Sequence, residues 1–499
     1  MGCIFLISKY RVGQRDFKQG VVVAVEEFYQ NITNRILSEA YIGWLFADSF
    51  EKYFMAGNPF SEMPKNARHF VKKKSLLSTN EKYVLQLNSS QILRDLNSEK
   101  SIIKKYNYLK EVVKSDNVNI VNDSFEGESE ADLGHAIEKT FDSKNLNLVI
   151  IGGGVCGLFL ANNIKTLFGG KANVLVLDNR SRYSNTRESF KREWLTHIPT
   201  GFFRIGKRPD ILSLLESFGA NELIGVPINM LETILQFACK DQGVKFHFSD
   251  IFDYSLLNNN VIDLVFDATG GRLKECSYSD SKSDDLSINI PKANINLDDA
   301  GVKQLHNIPG VGEDYVNVVL KPLDDFHEPY IENSKVLVHT VKLTGIPIDL
   351  MQPLLEAVNK LNSQNLFYVW RGTLRDKINE GLILINLLDK ESRFLTSIID
   401  DPIALKYLLN HSPNMSDQLN ERIIFIFQML VGMDTNDAVM IEQPFKYRPY
   451  VNLNAGFGLL SKKRVFAVGD SMFCGNPKTG NGLGSHLSII TDLVKGMNQ

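Results

Sequence analysis

The residues with the most chemistry in their spacing are glycines. Gly152-Gly153-Gly154-Val155-Cys156-Gly157 is a GxGxxG run that follows the apolar stretch Leu148 to Ile151 and opens the apolar helical stretch Leu158 to Phe168. Each glycine has a job: Gly152 permits a tight turn, Gly154 lets backbone approach a pyrophosphate, and Gly157 lets helix pack closely on strand. The new helix offers its first N–H groups, around Val155 and Cys156, together with a partial positive charge. A second apolar run, Val174 to Leu177, ends in Asp178, followed by Asn179 and Arg180. An acid about 20 residues past the glycines accepts hydrogen bonds from ribose hydroxyls, so the unit reads as strand, turn, helix, strand around an adenine dinucleotide. The bland alternative, a glycine-rich turn with an unrelated surface aspartate, leaves that coincidence of context unexplained.

Two distant segments narrow the reading. Val265-Phe-Asp-Ala-Thr-Gly-Gly-Arg272 is a strand running into a turn that contains Thr269 and Gly270. Val465-Phe-Ala-Val-Gly-Asp470 is another strand, ending in Gly469-Asp470. The Pro477-x-x-Gly480-Asn481-Gly482-Leu483 loop after it opens the last helix, where N–H groups can face a ring that gains negative charge. Flavoproteins with the two-dinucleotide fold carry similar segments, and in them the Gly-Asp aspartate bonds the ribityl chain of FAD.

The three-part arrangement resembles the single-component flavin monooxygenases of the para-hydroxybenzoate hydroxylase type, with the MICAL monooxygenase domain as the closest likeness. Cys156-Gly157-Leu158, the run Asp178-Asn-Arg-Ser-Arg-Tyr-Ser-Asn185 and the helix-then-strand segment from Pro227 to His247 carry it, over roughly 146–275 and 463–495. The resemblance implies an α/β fold: an FAD-binding two-dinucleotide Rossmann-type fold with an inserted mixed-sheet substrate domain and an N-terminal mostly helical extension. It implies FAD as cofactor, NAD(P)H as reductant and transfer of one oxygen from a flavin C4a-hydroperoxide to a small-molecule or protein-bound organic substrate. The cofactor supplies that chemistry, and the protein supplies position and a water-poor pocket. This chain departs from the family at Asn229, where an Arg or Gln near the flavin is usual, and at Thr269, where an Asp is usual. The calponin, LIM and coiled-coil parts of MICAL proteins are absent from this sequence, so the actin substrate is not carried over.

No catalytic acid or base is required by such chemistry, so catalytic residues stay open, with Arg187 and Trp370 as candidates. Arg187, more than Arg192, falls where these enzymes place an arginine near flavin and phosphates; a surface loop arginine is the alternative. Trp194 and His197 line the site edge or serve as core and surface residues. Tyr368 and Trp370 share one face of a strand by alternation, where core packing is the default and substrate lining the other reading. A flavin halogenase is disfavoured, because Trp44, Trp194 and Trp370 cannot form its Trp-x-Trp motif. A flavin-dependent C=C reductase of the geranylgeranyl reductase type and a non-catalytic flavin-binding interaction protein remain as competitors.

The elements that position these residues divide the chain into four. Residues 1–145 read as an N-terminal helical extension with an acidic, solvated linker from Ser115 to Asn145. Phe28, Ile32, Ile36 and Trp44 are its candidate core residues, and its role stays open between capping the flavin domain and binding a protein partner. Residues 146–275 read as the first FAD-binding part, 276–440 as a mixed domain covering the substrate, and 441–499 as the second FAD-binding part with a final helix. In the middle part Val336–Leu343, Phe367–Trp370 and Leu382–Leu388 read as strands, and Asp349–Leu361 and Ser416–Val431 as helices. The composition is ordinary for a globular chain, with 43% hydrophobic and 23% charged among 499 residues. A net charge of −3 gives nucleic acid no basic face to bind. The five cysteines contain no CxxC pair, which argues against a zinc ribbon and a disulfide framework and for a reducing, cytoplasmic setting. The apolar run at Met1 to Ile7 is too short for a signal peptide or a membrane span, and Leu6 stands where a myristoylation motif has Ser or Thr.

Overall fold

The computed structural model describes residues 17–32, 36, 133–179, 195–199, 223–249, 252–278, 286–291, 315–323, 326–330, 339–361, 366–371, 380–412, 414–434, 437–446, 450–452, 454–474 and 482–498. The calls on Arg180, Arg187, Arg192, Trp194, Trp44, Gly480 and Asn481 fall outside them.

In chain order, α1 (Phe17–Asn31) and α2 (Leu133–Thr140) precede β1 (Leu146–Ile151), α3 (Val155–Phe168) and β2 (Ala172–Asp178). Next come β3 (Leu195–Pro199), β4 (Leu223–Pro227), α4 (Ile228–Asp241), β5 (Lys245–Phe248), β6 (Leu264–Asp267) and β7 (Cys276–Ser277). The middle holds β8 (Leu286–Pro291), β9 (Tyr315–Leu323), β10 (Phe326–Tyr330), β11 (His339–Pro347), α5 (Ile348–Lys360), β12 (Phe367–Arg371) and β13 (Glu380–Leu387). It continues with α6 (Asp389–Ile398), β14 (Ile403–Ala404), α7 (Leu405–His411), α8 (Met415–Gln418) and α9 (Glu421–Met433). The chain closes with β15 (Met440–Ile441), β16 (Phe445–Lys446), β17 (Tyr450–Val451), β18 (Gly458–Leu460), β19 (Lys463–Ala467), β20 (Phe473–Cys474) and α10 (Gly482–Gly496).

The main sheet runs β5-β2-β1-β6-β19-β18-β7. Its first five strands are parallel, and β18 and β7 finish it antiparallel. β1 is apolar except for Asn147 and buried along its whole length, as a strand covered on both faces must be. Asn147 is tolerated there because its amide donates to Val261 O at 2.8 Å and accepts from Asn173 at 3.0 Å. Helix α3 packs against α4 and α10. Thus β1, α3 and β2 form the expected Rossmann-type βαβ unit, while β19 and α10 return from the far end of the chain to complete it.

Among the described residues β3 and β4 pair as an antiparallel ribbon, and two larger antiparallel sheets stand beside the main one. One runs β20-β17-β10-β9-β8. The other runs β12-β13-β11-β15-β14, with β16 also on β11, and packs on α5, α6 and α9 around its own apolar core, which includes Met351, Leu354, Phe367, Ile383, Ile385 and Phe427. The expected helix from Ser416 to Val431 is broken instead. Chain direction changes at Leu419–Asn420, where the Asn420 side chain accepts from Arg422 N and its own N–H donates to Glu391, so a new helix is capped there.

The N-terminal helix is built into the main core. Val21, Val25, Tyr29, Ile32 and Ile36 pack in the same apolar cluster as β1, β2, β6 and β19, so two of the expected core residues, Ile32 and Ile36, are fully inside, and Phe28 is half-buried against them. Tyr29 donates from its hydroxyl to Ala467 O at 2.6 Å, and its ring lies 5.0 Å from Phe466. The stretch expected as solvated linker is, from Leu133 on, the amphipathic α2, with Leu133 and Ile137 buried. Its acidic neighbours 126–132 fall outside the described residues. Replacing Tyr29 by Phe should lower unfolding stability by about 1 kcal/mol, one buried hydrogen bond, at unchanged helix content. Urea denaturation followed by circular dichroism checks it.

Candidate functional site

Three turns at the carboxyl ends of parallel strands meet at one place. The first is the glycine run after β1. Gly152 donates to Leu177 O at 2.7 Å and has φ of +107°, which an L side chain rarely adopts; a Cβ there would lie 2.6 Å from Ala268 O. A Cβ on Gly157 would lie 2.0 Å from Gly152 O, so strand and helix are as close as backbone allows. Leu158 N donates to Gly154 O at 2.9 Å, the first bond of α3. The N–H groups of Val155, Cys156 and Gly157 therefore precede any intrahelical pairing and mark the positive end of the helix. Gly153 N donates to Asp178 Oδ2 at 3.1 Å, which ties the turn to the buried acid at the end of β2, beside exposed Asn179.

The second turn, Ala268 to Arg272, follows β6. Its anchor is Asp267, fully buried. Oδ1 accepts from Thr269 N at 2.8 Å, Thr269 Oγ1 at 2.7 Å and Ser471 Oγ at 3.1 Å. Oδ2 accepts from the Tyr278 hydroxyl at 2.6 Å. Burial, and then the Asp267 charge, push the Tyr278 hydroxyl well above the usual tyrosine range, so it stays a donor. Thr269 is thus occupied in holding its own turn, and also accepts from Arg272 N at 3.0 Å.

The third turn, Gly469 to Ser471, follows β19. Ser471 Oγ accepts from both Gly270 N and Gly271 N at 3.0 Å, clamping the second turn to the third. Gly469, at φ +63°, touches the first turn: a Cβ there would sit 2.8 Å from Cys156 Cβ and Sγ. Asp470, 60% exposed at its side chain, stands over the junction, its Cβ 3.6 Å from where one on Gly270 would be. It accepts from His486 Nε2 at 2.9 Å. Burial, with the Asp470 and Glu232 charges adding, pushes the Cys156 thiol well above its ordinary value and keeps it protonated.

The structure therefore brings together Gly152, Gly154, Val155, Cys156, Gly157, Asp178, Thr269, Gly270, Gly469 and Asp470. Asn229 lies in the first turn of α4, and Gly482 and half-buried Leu483 begin α10. Tyr368 and Trp370 pair in register with Leu384 and Leu382 on β13. His197 is on β3, opposite Gly225. Sequence reasoning missed Asp267, Tyr278 and Ser471, whose roles depend on contacts across the fold. It also missed Glu232, buried on α4 with Oε1 3.6 Å from a Cβ position on Gly154. Asp267 lay within the segment read from sequence, yet only the Ala268-Thr269-Gly270 turn that follows the strand carried the signal.

Fold and site together define a Rossmann-type α/β protein whose fifth parallel strand, β19, comes from far along the chain. No family model matches the chain, and no curated protein does. It is similar to the crystal structure of CtdE in complex with FAD, at 13% identity over 70% of this chain and 88% of the other, with a TM-score of 0.38. It is similar too to p-nitrophenol 4-monooxygenase PnpA from Pseudomonas putida DLL-E4, at 12% identity over 71% and 79%, with a TM-score of 0.35. A further likeness is to 2-methyl-3-hydroxypyridine-5-carboxylic acid oxygenase in its tetrameric form, at 12% identity over 70% and 82%, again at 0.35. These likenesses are remote, and the activity proposed below rests on this chain's own residues.

Removing the Asp267 carboxylate should strand four hydrogen-bond donors at once, the Thr269 N–H and the Thr269, Ser471 and Tyr278 hydroxyls. Asp267→Ala should cost about 3 kcal/mol or more of unfolding free energy, and Asp267→Asn less, because an amide oxygen still accepts from Thr269 and Ser471. Denaturant midpoints of the two variants check the ranking. Cys156 should resist alkylation by iodoacetamide at pH 8 in the folded protein and react on unfolding, as mass spectrometry of labelled peptides would record.

Proposed function

We propose that this chain is an FAD-dependent monooxygenase that uses NAD(P)H and O₂ to oxygenate an organic substrate. The observation that carries the reading is the junction of three turns, with an acid at the end of β2 and a second acid over the junction. A glycine turn too tight for any Cβ, at a helix N-terminus, suits the pyrophosphate of a dinucleotide. Asp178, held by Gly153 N at the end of β2, is an acid where the ribose hydroxyls of a dinucleotide are received. Asp470, exposed at the opposite lip, suits the hydroxyls of a ribityl chain. Glu232 works against an anion close to Gly154, so the phosphates belong on the Val155–Gly157 side, towards the free N–H groups.

The residues present fit FAD. When bound, that group supplies the redox and oxygen chemistry. The chain's own part is to seat it. The N–H groups of residues 155–157 hold the phosphates, Asp178 orients the ribose and Asp470 fixes the ribityl chain. Asn179, Arg180, Arg187, Asn229, Gly480, Asn481, Gly482 and Leu483 are proposed as further cofactor contacts. Trp370 and Arg187 remain the catalytic candidates, and the sheet carrying β12 and β13 is proposed to cover a small-molecule or protein-bound substrate. Likeness to the MICAL domain stays part of this reading on the strength of the Cys156-Gly157-Leu158 run. A cytoplasmic location is proposed from scattered cysteines, of which Cys156, Cys239, Cys276 and Cys474 are free thiols. Among the described residues no helix is long and apolar enough to cross a membrane.

The purified protein should be yellow, with absorption bands of protein-bound flavin, and acid extraction should release FAD and not FMN. NADPH or NADH should bleach it without oxygen, and oxygen should restore the colour. A bleached protein that passes hydrogen to an alkene without consuming oxygen would move the assignment to the C=C reductases. Colour without bleaching would point to a flavin-binding interaction protein. Asp178→Ala should raise the FAD dissociation constant about tenfold or more, the worth of one or two charge-assisted hydrogen bonds, as flavin fluorescence titration would measure.

A further inference from the structure

Ala467 is the last residue of β19 and leads directly into the third turn. On one side the strand end is held by the central sheet, where Val468 N donates to Asp267 O at 2.8 Å. On the other side β18 has turned away. It pairs with β19 only from Leu460 opposite Lys463 to Gly458 opposite Val465. Before that lies a turn closed by Phe457 N on Asn454 O at 2.8 Å.

In an antiparallel ladder one residue exchanges both its N–H and its carbonyl with the residue opposite. At Ala467 the two bonds are divided. Its N–H donates to Ala455 O at 2.7 Å, and its carbonyl accepts from the Tyr29 hydroxyl at 2.6 Å. A phenol from α1 thus supplies the rung that β18 does not. The surroundings are shaped to admit it: a Cβ on Gly456 would lie 2.3 Å from Tyr29 Cβ, so only glycine leaves room there. The ring is buried against Phe466. Burial, and then the Asp267 charge, push its hydroxyl well above the usual tyrosine range, so it stays a donor.

The strand end that Tyr29 holds has little slack, because Gly469 already abuts the Cys156 side chain of the first turn. Moving the end of β19 therefore changes the span between the N–H groups of residues 155–157 and the third turn.

We propose that Tyr29 is a positioning residue for the cofactor: by donating to Ala467 O, it sets the distance between the phosphate end and the ribityl end of the FAD seat. The inference rests on the flavin reading above. Tyr29 touches no cofactor itself and acts through the backbone of β19. Without its hydroxyl the third turn samples other positions, and FAD must select the competent one. The adenylate half, seated by the first turn and Asp178, is unaffected.

The test is binding by the full-length chain freed of flavin, with FAD and ADP-ribose titrated separately. Tyr29→Phe keeps the ring and removes the donor. It should weaken FAD about fivefold, as when the competent arrangement falls to roughly a fifth of the population, and leave ADP-ribose within about twofold of the starting protein. Glu26→Gln is the control for a merely structural role. It breaks the ion pair of the same helix with Arg464, leaves Ala467 alone, and should keep both affinities within about twofold. FAD affinity unchanged in Tyr29→Phe, equal weakening of FAD and ADP-ribose, or an equal loss of FAD affinity in Glu26→Gln would each overturn the proposal. Starting protein that takes up ADP-ribose but never FAD would instead bring down the flavin reading, and this inference with it.

Discussion

A single buried carboxylate holds the site together. Asp267 ends β6 in the middle of the parallel sheet, and both its oxygens are committed to neighbours from three different segments. Through Ser471 it also fixes two backbone N–H groups of its own turn. Burying an acid without a cation is costly unless hydrogen bonds replace its water. Here Thr269, Ser471 and Tyr278 do so, and the replacement works only when the turns after β6 and β19 lie side by side. The arrangement is all-or-none in character: losing one donor weakens the case for keeping the others in place.

Much of this was legible in the chain before any coordinates. The run from β1 through α3 to Asp178 is encoded locally, by an apolar strand, glycines where a Cβ has no room, and a second strand ending in an acid. Such a unit carries its own register, and the structure reproduces it to within a residue or two. Gly469-Asp470 was legible as a strand ending in a Gly-Asp corner like that of two-dinucleotide flavoproteins, and the positive φ of Gly469 appears only in the fold. Asp267 was not, because a strand-end aspartate gains its meaning from Tyr278 and from Ser471, 204 residues further on. Thr269 looked like a missing acid from sequence alone. In the fold its hydroxyl holds the turn by bonding the acid two positions earlier.

The N-terminal segment shows the same limit from another side. Its helical periodicity marked Ile32 and Ile36 as apolar contributors, and both are buried. Nothing in that periodicity says what the helix buries against. The answer, the strand β19 near the other end of the chain, comes from the Tyr29 hydroxyl on Ala467 O and the ring contact with Phe466. Helix α1 therefore braces the strand that leads into the third turn. Likewise α9 begins at Asn420 because a side-chain cap and a bond to Glu391 outweigh an apolar pattern that runs on through residues 416–431.

The place of β19 has a bearing on how the protein is made. As the polypeptide leaves the ribosome, β5, β2, β1 and β6 can assemble early, but the fifth parallel strand emerges long after β6. Until then β6 is an open sheet edge, its terminal acid lacks Ser471, and α1 has no strand to cover, although it precedes all of these strands in the chain; its bond to Ala467 spans 438 residues. Exposed edges of this kind are where nascent chains stick to one another. A ribosome that stops short of residue 463 thus releases a body with a raw flank, and the cell's chaperones inherit the task of shielding it.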